Sequence, residues 1–277
     1  MSKLGGVGTL RRRLREFVIG PVVAIVVTLA VLTVIGGLMV LLEPRSPNAA
    51  GPTTGLSAPP GPTTVAPGRY GSGTLGPWQN LLRRITPEDQ IRDVLTFNGI
   101  FMFGDSIAVQ DSSALEDLLA ARTGDSIAVH NWSGQPTSAA VDALAGWSRD
   151  YGLPSRIVMA VGTNDIFDPP AFGAQVERAM AIAGPKRTVY WVNVEVSRFR
   201  QSEDVQAADR ANSAWINQQL EEAARRHPNL RIIHWAEYLN SQPAGLAKYL
   251  RDGVHTSEPV GRAARNELIA EALQSSR

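Results

Sequence analysis

A serine, a histidine and an aspartate that could carry out nucleophilic catalysis lie far apart in the chain. Ser106 ends a Gly-Asp-Ser triplet that follows an apolar run at residues 99–103, and His255 ends an Asp-Gly-Val-His run that begins at Asp252. Ester hydrolysis needs a hydroxyl nucleophile beside a base, and His255 can remove the Ser106 proton. Asp252 can fold back to bind the imidazole and fix its tautomer. Ser106 alone could be a helix N-cap, but together the three residues predict acyl transfer at its hydroxyl.

Amide donors for a developing oxyanion are expected after two further strands. Gly134 ends an Asn-Trp-Ser-Gly run, and Asn164 lies within a Gly-Thr-Asn-Asp run. The backbone N–H groups of Ser106 and Gly134, with the side-chain amide of Asn164, are the available donors. One such donor typically lowers the barrier by about 3–4 kcal/mol. We therefore predict an oxyanion hole formed by these three residues.

Alternating strands and helices must position these groups. Short helices are predicted at 78–85 and 87–95. The predicted strands lie at 99–103, 126–132, 156–161, 188–196 and 230–235. The helices that separate them are predicted at 113–122, 137–151, 170–183 and 207–226, and a closing helix at 259–273. Five strands separated by helices indicate an α/β fold with a mostly parallel sheet covered on both faces. Ligands in such sheets bind at the carboxyl ends of the strands, where three of the four motifs begin.

The motifs resemble those of the SGNH hydrolase superfamily, also called GDSL esterases. Its four name-giving residues correspond to Ser106, Gly134, Asn164 and His255, with Asp252 as the partner of the histidine. The resemblance begins near the first predicted strand and runs to the C-terminus. It implies a three-layer α/β/α flavodoxin-like sandwich, in agreement with the five strands and the helices predicted above. It also implies a serine hydrolase acting on carboxylic esters, or an O-acyltransferase.

Other polar residues close to the motifs have simpler interpretations. Asp105 is expected to order the loop before the nucleophile, and Asp165 to be structural as a turn residue. Arg198 and Arg200 follow the fourth predicted strand and could contact an anionic substrate or acceptor. A solvated loop is the simpler interpretation for these two arginines.

The composition of the chain limits the kinds of catalysis and binding that it can carry out. The net charge of +1 does not indicate a nucleic-acid partner, and the absence of cysteine excludes disulfides and thiolate catalysis. His130 and His234 lie in predicted strands, where a packed histidine is commoner than a metal ligand. Trp191, Trp215 and Trp235 are expected to pack in the core or against helices. We expect no metal and no cofactor.

The first 77 residues differ from the rest of the chain. Residues 17–42 carry no charge and are mostly apolar, and several arginines precede them. At about 1.5 Å per residue this run can span a bilayer of about 30 Å, and it is too long for the apolar part of a cleaved signal peptide. The positive-inside rule then places residues 1–16 in the cytoplasm. Residues 43–77, rich in Pro, Gly and Thr, read as a disordered linker to a catalytic domain at 78–277.

These features together predict a membrane-anchored, extracytoplasmic serine esterase. Its substrate would be a short, acetyl-like O-acyl ester of a cell-envelope glycan or glycolipid. An alternative is acyl transfer to a sugar hydroxyl, because residues 189–217 are similar to SGNH domains fused to membrane acyltransferases. A separate membrane acyltransferase would then be a partner. A non-catalytic glycan-binding module is disfavoured because all three catalytic residue types are present, although a fold alone does not prove activity.

Overall fold

The computed structural model describes residues 68–275. The strands are β1 (Arg83–Ile85), β2 (Ile100–Gly104), β3 (Ile127–Trp132), β4 (Arg156–Ala160), β5 (Thr188–Val192) and β6 (Leu230–Ile233). The helices are α1 (Glu88–Thr96), α2 (Ser106–Thr123), α3 (Thr137–Asp150), α4 (Phe172–Ala183), α5 (Glu203–Arg226), α6 (Trp235–Asn240), α7 (Leu246–Tyr249) and α8 (Val260–Gln274). A 3-10 helical turn at Thr163–Phe167 follows β4, and another at Pro169–Ala171 precedes α4.

The described sheet has six strands in the order β1-β3-β2-β4-β5-β6. Strands β3, β2, β4, β5 and β6 are parallel, and only β1 runs antiparallel to its neighbour β3. Apart from β1, the strand order is that of flavodoxin-like folds. The sheet therefore places the ends of β2, β3 and β4 side by side on one edge.

Both faces of the sheet are covered, as the alternation of β2 illustrates. Phe101 and Phe103 pack into a core built with α1, α3, α4 and α5, whereas Ile100 and Met102 pack into a second core built with α2, α6 and α8. Successive strand side chains point to opposite faces, so an entirely apolar β2 can fill both cores. The result is a three-layer α/β/α arrangement.

The prediction of a helix at 78–85 is wrong, and with it the prediction of five strands. Residues 83–85 form β1, and Arg83, Arg84 and Ile85 pair with Trp132, Asn131 and His130 of β3. A three-residue edge strand carries almost no periodic signal, and the open edge of β3 outweighs a weak local helical pattern. The sheet is therefore mixed.

Several element boundaries also differ from the prediction. Helix α2 begins at Ser106 rather than at residue 113. Strand β5 ends at Val192 rather than at 196, and Trp235 opens a short helix instead of closing the last strand. Trp191 and Trp235 are buried as expected, but Trp215 is substantially exposed and packs edge-on against Tyr70.

The predicted anchor at 17–42 and most of the predicted linker lie outside the described residues. Within residues 68–275, none of the helices has both the length and the apolar character needed to cross a bilayer. Residues 68–77, the last part of the predicted linker, include packed positions. Ser72 is fully buried and accepts a hydrogen bond from Asn212.

Candidate active site

Ser106 is the first residue of α2, directly after the central strand β2. Asp105 caps the helix, because its Oδ1 accepts a hydrogen bond of 3.0 Å from the backbone N–H of Ile107. The capping role that a serine could have filled thus belongs to its neighbour. The hydroxyl of Ser106 instead points to the histidine near the C-terminus, with 2.9 Å between Ser106 Oγ and His255 Nε2.

The histidine is held by the aspartate three residues before it. His255 Nδ1 lies 2.9 Å from Asp252 Oδ2. The other carboxylate oxygen, Oδ1, accepts the backbone N–H groups of Val254 at 3.0 Å and His255 at 2.8 Å. Because a carboxylate only accepts hydrogen bonds, this contact assigns the proton of the neutral imidazole to Nδ1 and leaves Nε2 to accept the Ser106 hydroxyl proton.

The ionisation of Asp252 fits this arrangement. Its partial burial would raise the pKa of the carboxyl group, but hydrogen bonds from the backbone and ring of His255 outweigh that effect, and the net shift is downward. Asp252 is therefore an anion at neutral pH. An anion at this position stabilises the positive charge that His255 acquires when it takes a proton.

The loop that carries Asp252 and His255 is fixed from two sides. Gly253 has a φ of +86°, and a β-carbon there would lie 1.8 Å from the carbonyl oxygen of Ser197. The backbone N–H of Ser197 donates to Gly253 O at 2.9 Å. On the other side, the hydroxyl of Thr256 donates to the buried carboxylate of Asp111 in α2 at 2.9 Å. The same helix thus begins with Ser106 and anchors the loop of His255.

The residues expected to donate to an oxyanion lie on the loops after β3 and β4. Asn164 Nδ2 donates to the carbonyl of Gln135 at 3.1 Å, next to Gly134. A primary amide has two N–H groups, so one remains for another acceptor. Gln135 was missed by the sequence analysis. Its side-chain amide donates to Gly104 O and ties the Gly134 loop to the strand that leads to Ser106.

Residues 102–260, more than half of the chain, match the GDSL-like lipase/acylhydrolase family. The chain belongs to this family. The expected resemblance to SGNH, or GDSL, serine hydrolases is thereby confirmed, and the protein is an enzyme of that hydrolase and acyl-transfer class.

Two solved structures share the fold. The C-terminal catalytic domain of Streptococcus pneumoniae peptidoglycan O-acetyltransferase A, with a methylsulfonyl adduct, has a TM-score of 0.51 at 21% identity, over 64% of this chain and 93% of that chain. A GDSL-like lipase from Bacteroides thetaiotaomicron has a TM-score of 0.53 at 14% identity, over 69% and 92%. At these identities the likeness shows the fold. No curated protein matches the sequence.

Beneath the GDSL-type serine lies a cluster of buried charged side chains. Asp105 and Asp111 are almost completely buried, and Arg265 of α8 is 3% exposed with its Nη1 3.9 Å from Asp111 Oδ2. Burial raises the pKa of Asp105, and the charge of Arg265 opposes that shift. Arg265, which no sequence motif indicated, supplies the positive charge next to two buried acids.

Asp165, the last residue of the Gly-Thr-Asn-Asp motif, binds the start of α3. Its carboxylate accepts the backbone N–H of Thr137 at 3.0 Å and the Thr137 hydroxyl at 2.7 Å. Burial nevertheless raises the pKa of Asp165 to about 7. These contacts are those of a structural residue that orients the turn carrying Asn164.

The two arginines considered as substrate contacts differ in their surroundings. Arg198 Nε and Nη2 donate to the two carboxylate oxygens of Asp209 at 2.8 and 2.7 Å, and Nη2 also donates to the carbonyl of Ser72. Because Asp209 is fully buried, this guanidinium is committed to internal contacts. Arg200 is exposed in the following turn.

A second group of ionisable side chains lies elsewhere in the described part of the chain. Ligand atoms of Glu221, His234 and Glu237 lie within 4.8 Å of one another. The three residues come from α5, from the end of β6 and from α6, so no sequence spacing could have revealed them. Since all three side chains are substantially exposed, this proximity by itself assigns no metal.

Proposed function

We propose that the protein is a serine esterase in which Ser106 is the nucleophile and His255 the general base. Asp252 orients the imidazole and stabilises the positive charge that it acquires. The observation that carries the proposal is the continuous chain of contacts from Ser106 Oγ to His255 Nε2 and from His255 Nδ1 to Asp252 Oδ2, each 2.9 Å long. Such an arrangement matches the geometry that activates a serine hydroxyl.

The reaction proceeds through an acyl-serine. Ser106 Oγ attacks the ester carbonyl carbon while its proton passes to His255 Nε2. The tetrahedral oxyanion is stabilised by the N–H groups of Ser106, Gly134 and Asn164. When the intermediate collapses, the ester C–O bond breaks and the leaving alkoxide takes the proton from His255. A water then attacks the acyl-serine carbonyl carbon while His255 takes a proton from that water. The bond between the acyl carbon and Ser106 Oγ breaks, His255 returns the proton to Oγ, and the carboxylic acid leaves.

We propose a short O-acyl ester of a cell-envelope glycan or glycolipid as substrate, with the catalytic domain outside the cytoplasm. This part rests on the sequence, namely the apolar run at 17–42 behind a group of arginines and the Pro- and Gly-rich stretch that follows it. A Pro- and Gly-rich stretch of this length would hold the domain away from the bilayer.

Acyl transfer to a sugar hydroxyl is the second candidate. It is favoured by the shared fold with the S. pneumoniae peptidoglycan O-acetyltransferase domain and by the similarity of residues 189–217 to acyltransferase-associated domains. In that stretch Asn217 Oδ1 accepts the N–H of Val194 at 3.0 Å, and its Nδ2 donates to the Val194 carbonyl at 2.8 Å. These contacts hold the connection after β5 in place. A membrane acyltransferase would supply the acyl group.

The test uses the full-length protein in detergent with p-nitrophenyl acetate and butanoate. Turnover and labelling by a fluorophosphonate probe should both be lost in Ser106→Ala. The same change in Ser155→Ala should leave them intact, because Ser155 precedes β4 at the opposite edge of the sheet. Unchanged turnover in Ser106→Ala would refute the proposal. Binding of glycans without labelling at Ser106 would instead indicate a non-catalytic module.

A parallel assay separates hydrolysis from transfer. Peptidoglycan-derived and other oligosaccharide acceptors are added to the ester, and the products are separated by mass spectrometry. Free acid as the main product supports the esterase. Acylated sugar that accumulates at the expense of free acid supports the transferase.

A further inference from the structure

Residues Gly68–Leu82, the N-terminal strap, precede the part of the chain that matches the family, which begins at residue 102. The strap nevertheless contacts the elements that carry the candidate site. Asn212 Nδ2 of α5 lies 2.9 Å from both Tyr70 O and Ser72 Oγ, and 3.0 Å from Ile166 O. Ile166 belongs to the same 3-10 turn as Asn164. One amide thus links the start of the strap to the turn of an expected oxyanion donor.

A buried ion pair reinforces this attachment. Arg198 binds the fully buried Asp209 and donates to the carbonyl of Ser72, and its guanidinium lies over the ring of Phe167 at 5.2 Å. Hydrogen bonds from a charged donor are stronger than neutral ones. The start of the strap is therefore held by specific polar contacts rather than by loose packing.

The far end of the strap lies against Gly134. Trp78 packs edge-on against Trp132 with 5.0 Å between ring centroids, and the N–H of Ser133 donates to Leu82 O at 2.9 Å. A β-carbon on Gly134 would lie 2.9 Å from Trp78 Cβ and 3.2 Å from Leu81 Cδ1. Two apolar side chains thus flank an expected oxyanion donor, and Leu81 is 49% exposed beside it.

The order of the strands places this apolar surface relative to the histidine. Ser106 follows β2, which lies between β3 and β4. Gly134 and Leu81 lie on the β3 side, whereas the loop of His255 is supported from the β5 side through Ser197 and Gly253. The leaving alcohol must lie near His255 Nε2 to receive its proton. The acyl substituent takes a different position on the same carbonyl carbon, and Leu81 offers an exposed apolar side chain beside Gly134, on the side away from the support of the His255 loop.

We propose that Leu81, backed by Trp78, borders the acyl group of the ester and is a specificity-determining residue that, among short acyl esters, favours a longer apolar chain over acetyl. This inference rests on the proposed esterase function and adds the side of the site on which the acyl chain lies. The ligand it defines is the unbranched apolar acyl chain of a carboxylic ester. A strap fixed at both ends keeps Leu81 in place without substrate.

The experiment compares p-nitrophenyl acetate with p-nitrophenyl hexanoate on the full-length protein in detergent. Leu81→Ala removes the apolar surface, and Leu81→Gln keeps the length of the side chain but makes it polar. Both should lower the hexanoate-to-acetate ratio of kcat/KM by about fivefold or more, mainly through KM for hexanoate, because apolar contacts discriminate between chain lengths. The kcat/KM for acetate should fall by much less than that for hexanoate, because the acetyl group has a single methyl carbon to contact Leu81.

Phe97→Ala is the matched control. Phe97 is 81% exposed and lies at the end of α1, before the amino end of β2, on the opposite edge of the sheet. It should leave the ratio unchanged. Two results would overturn the proposal while turnover still depends on Ser106. In the first, the hexanoate-to-acetate ratio of kcat/KM stays within about twofold of wild type in both Leu81 variants. In the second, kcat/KM falls equally for both esters. Loss of Ser106 dependence in the wild-type protein would instead overturn the esterase function, and this inference with it.

Discussion

Ser106 and His255 are separated by 149 positions in the sequence, and their side chains meet at 2.9 Å between Oγ and Nε2. The same two elements meet a second time in the contact of Thr256 with Asp111, which is buried. Helix α2 therefore contributes the nucleophile at its first turn and the anchor of the histidine loop one turn later. The geometry of the candidate site depends on this double connection between α2 and the C-terminal loop.

Removing the charge of Asp252 should abolish most of the activity without unfolding the protein. In Asp252→Asn the oxygen that accepts the N–H groups of Val254 and His255 can be retained, but the amide can no longer enforce the tautomer with the proton on Nδ1. We expect kcat for p-nitrophenyl acetate to fall by about 10³–10⁴ with little change in Tm. Asp117→Asn, an exposed change on α2, serves as control. An Asp252→Asn variant with near-normal kcat would remove Asp252 from the proposed mechanism.

The hydroxyl of Thr256 should matter for both stability and catalysis. Thr256→Val keeps the shape of the side chain but leaves the buried carboxylate of Asp111 without this donor. We expect a loss of about 1–3 kcal/mol in the free energy of unfolding, measured by urea denaturation, and a lower kcat because the adjacent His255 shifts. Thr256→Ser retains the hydroxyl and should retain most of both properties. Equal behaviour of the two variants would contradict this assignment.

Replacing Arg265 should lower the free energy of unfolding more than replacing an exposed charged residue does. Arg265→Met leaves Asp111 and Asp105 buried without the nearby positive charge. Breaking a buried pair in this way typically costs about 3–5 kcal/mol of unfolding free energy. Arg262→Met, one helical turn earlier at a more exposed pair with Glu258, should cost less than about 1 kcal/mol. Urea denaturation of both variants distinguishes them, and similar losses would argue against a special role for Arg265.

Asp165 should make stability depend on pH. Burial raises its pKa from the usual value of 3.8 to about 7, so between these values the folded state binds more protons than the unfolded state. Stability from this residue is complete below about pH 4 and is lost as pH rises toward 7. The Asp165→Asn variant has no carboxyl group at this position, so its stability does not fall in this way as pH rises. The difference in unfolding free energy, variant minus wild type, should therefore rise between pH 4 and 7, by on the order of 2–4 kcal/mol, and level off above 7.

The matching measurement is urea denaturation of both proteins at pH 4, 5.5, 7 and 8. The absolute stability of the variant can be lower throughout, because an amide replaces a carboxylate that accepts two bonds from Thr137. Only the change of the difference with pH tests the prediction. A difference that is constant from pH 4 to 8 would show that Asp165 is ionised throughout this range in the folded protein.

The sequence by itself determined the parallel part of the fold and the meeting of the main motifs. Ser106, Gly134 and Asn164 each follow a strand, and the carboxyl ends of parallel strands share one edge of a sheet. Asp252 and His255 are three positions apart, so a single turn brings them together. These features depend on local pattern and on one topological rule, and for that reason they could be predicted from residue order.

Only the tertiary structure decided which distant residues support that edge. The pairing of β1 with β3, the attachment of Ser72 by Arg198 and the burial of Arg265 beside Asp111 join segments up to 154 positions apart. No local period encodes such partners, and an arginine after a strand looks the same in sequence whether it faces solvent or a buried acid. The energy of these contacts comes from burial and charge pairing, and both exist only after the chain has folded.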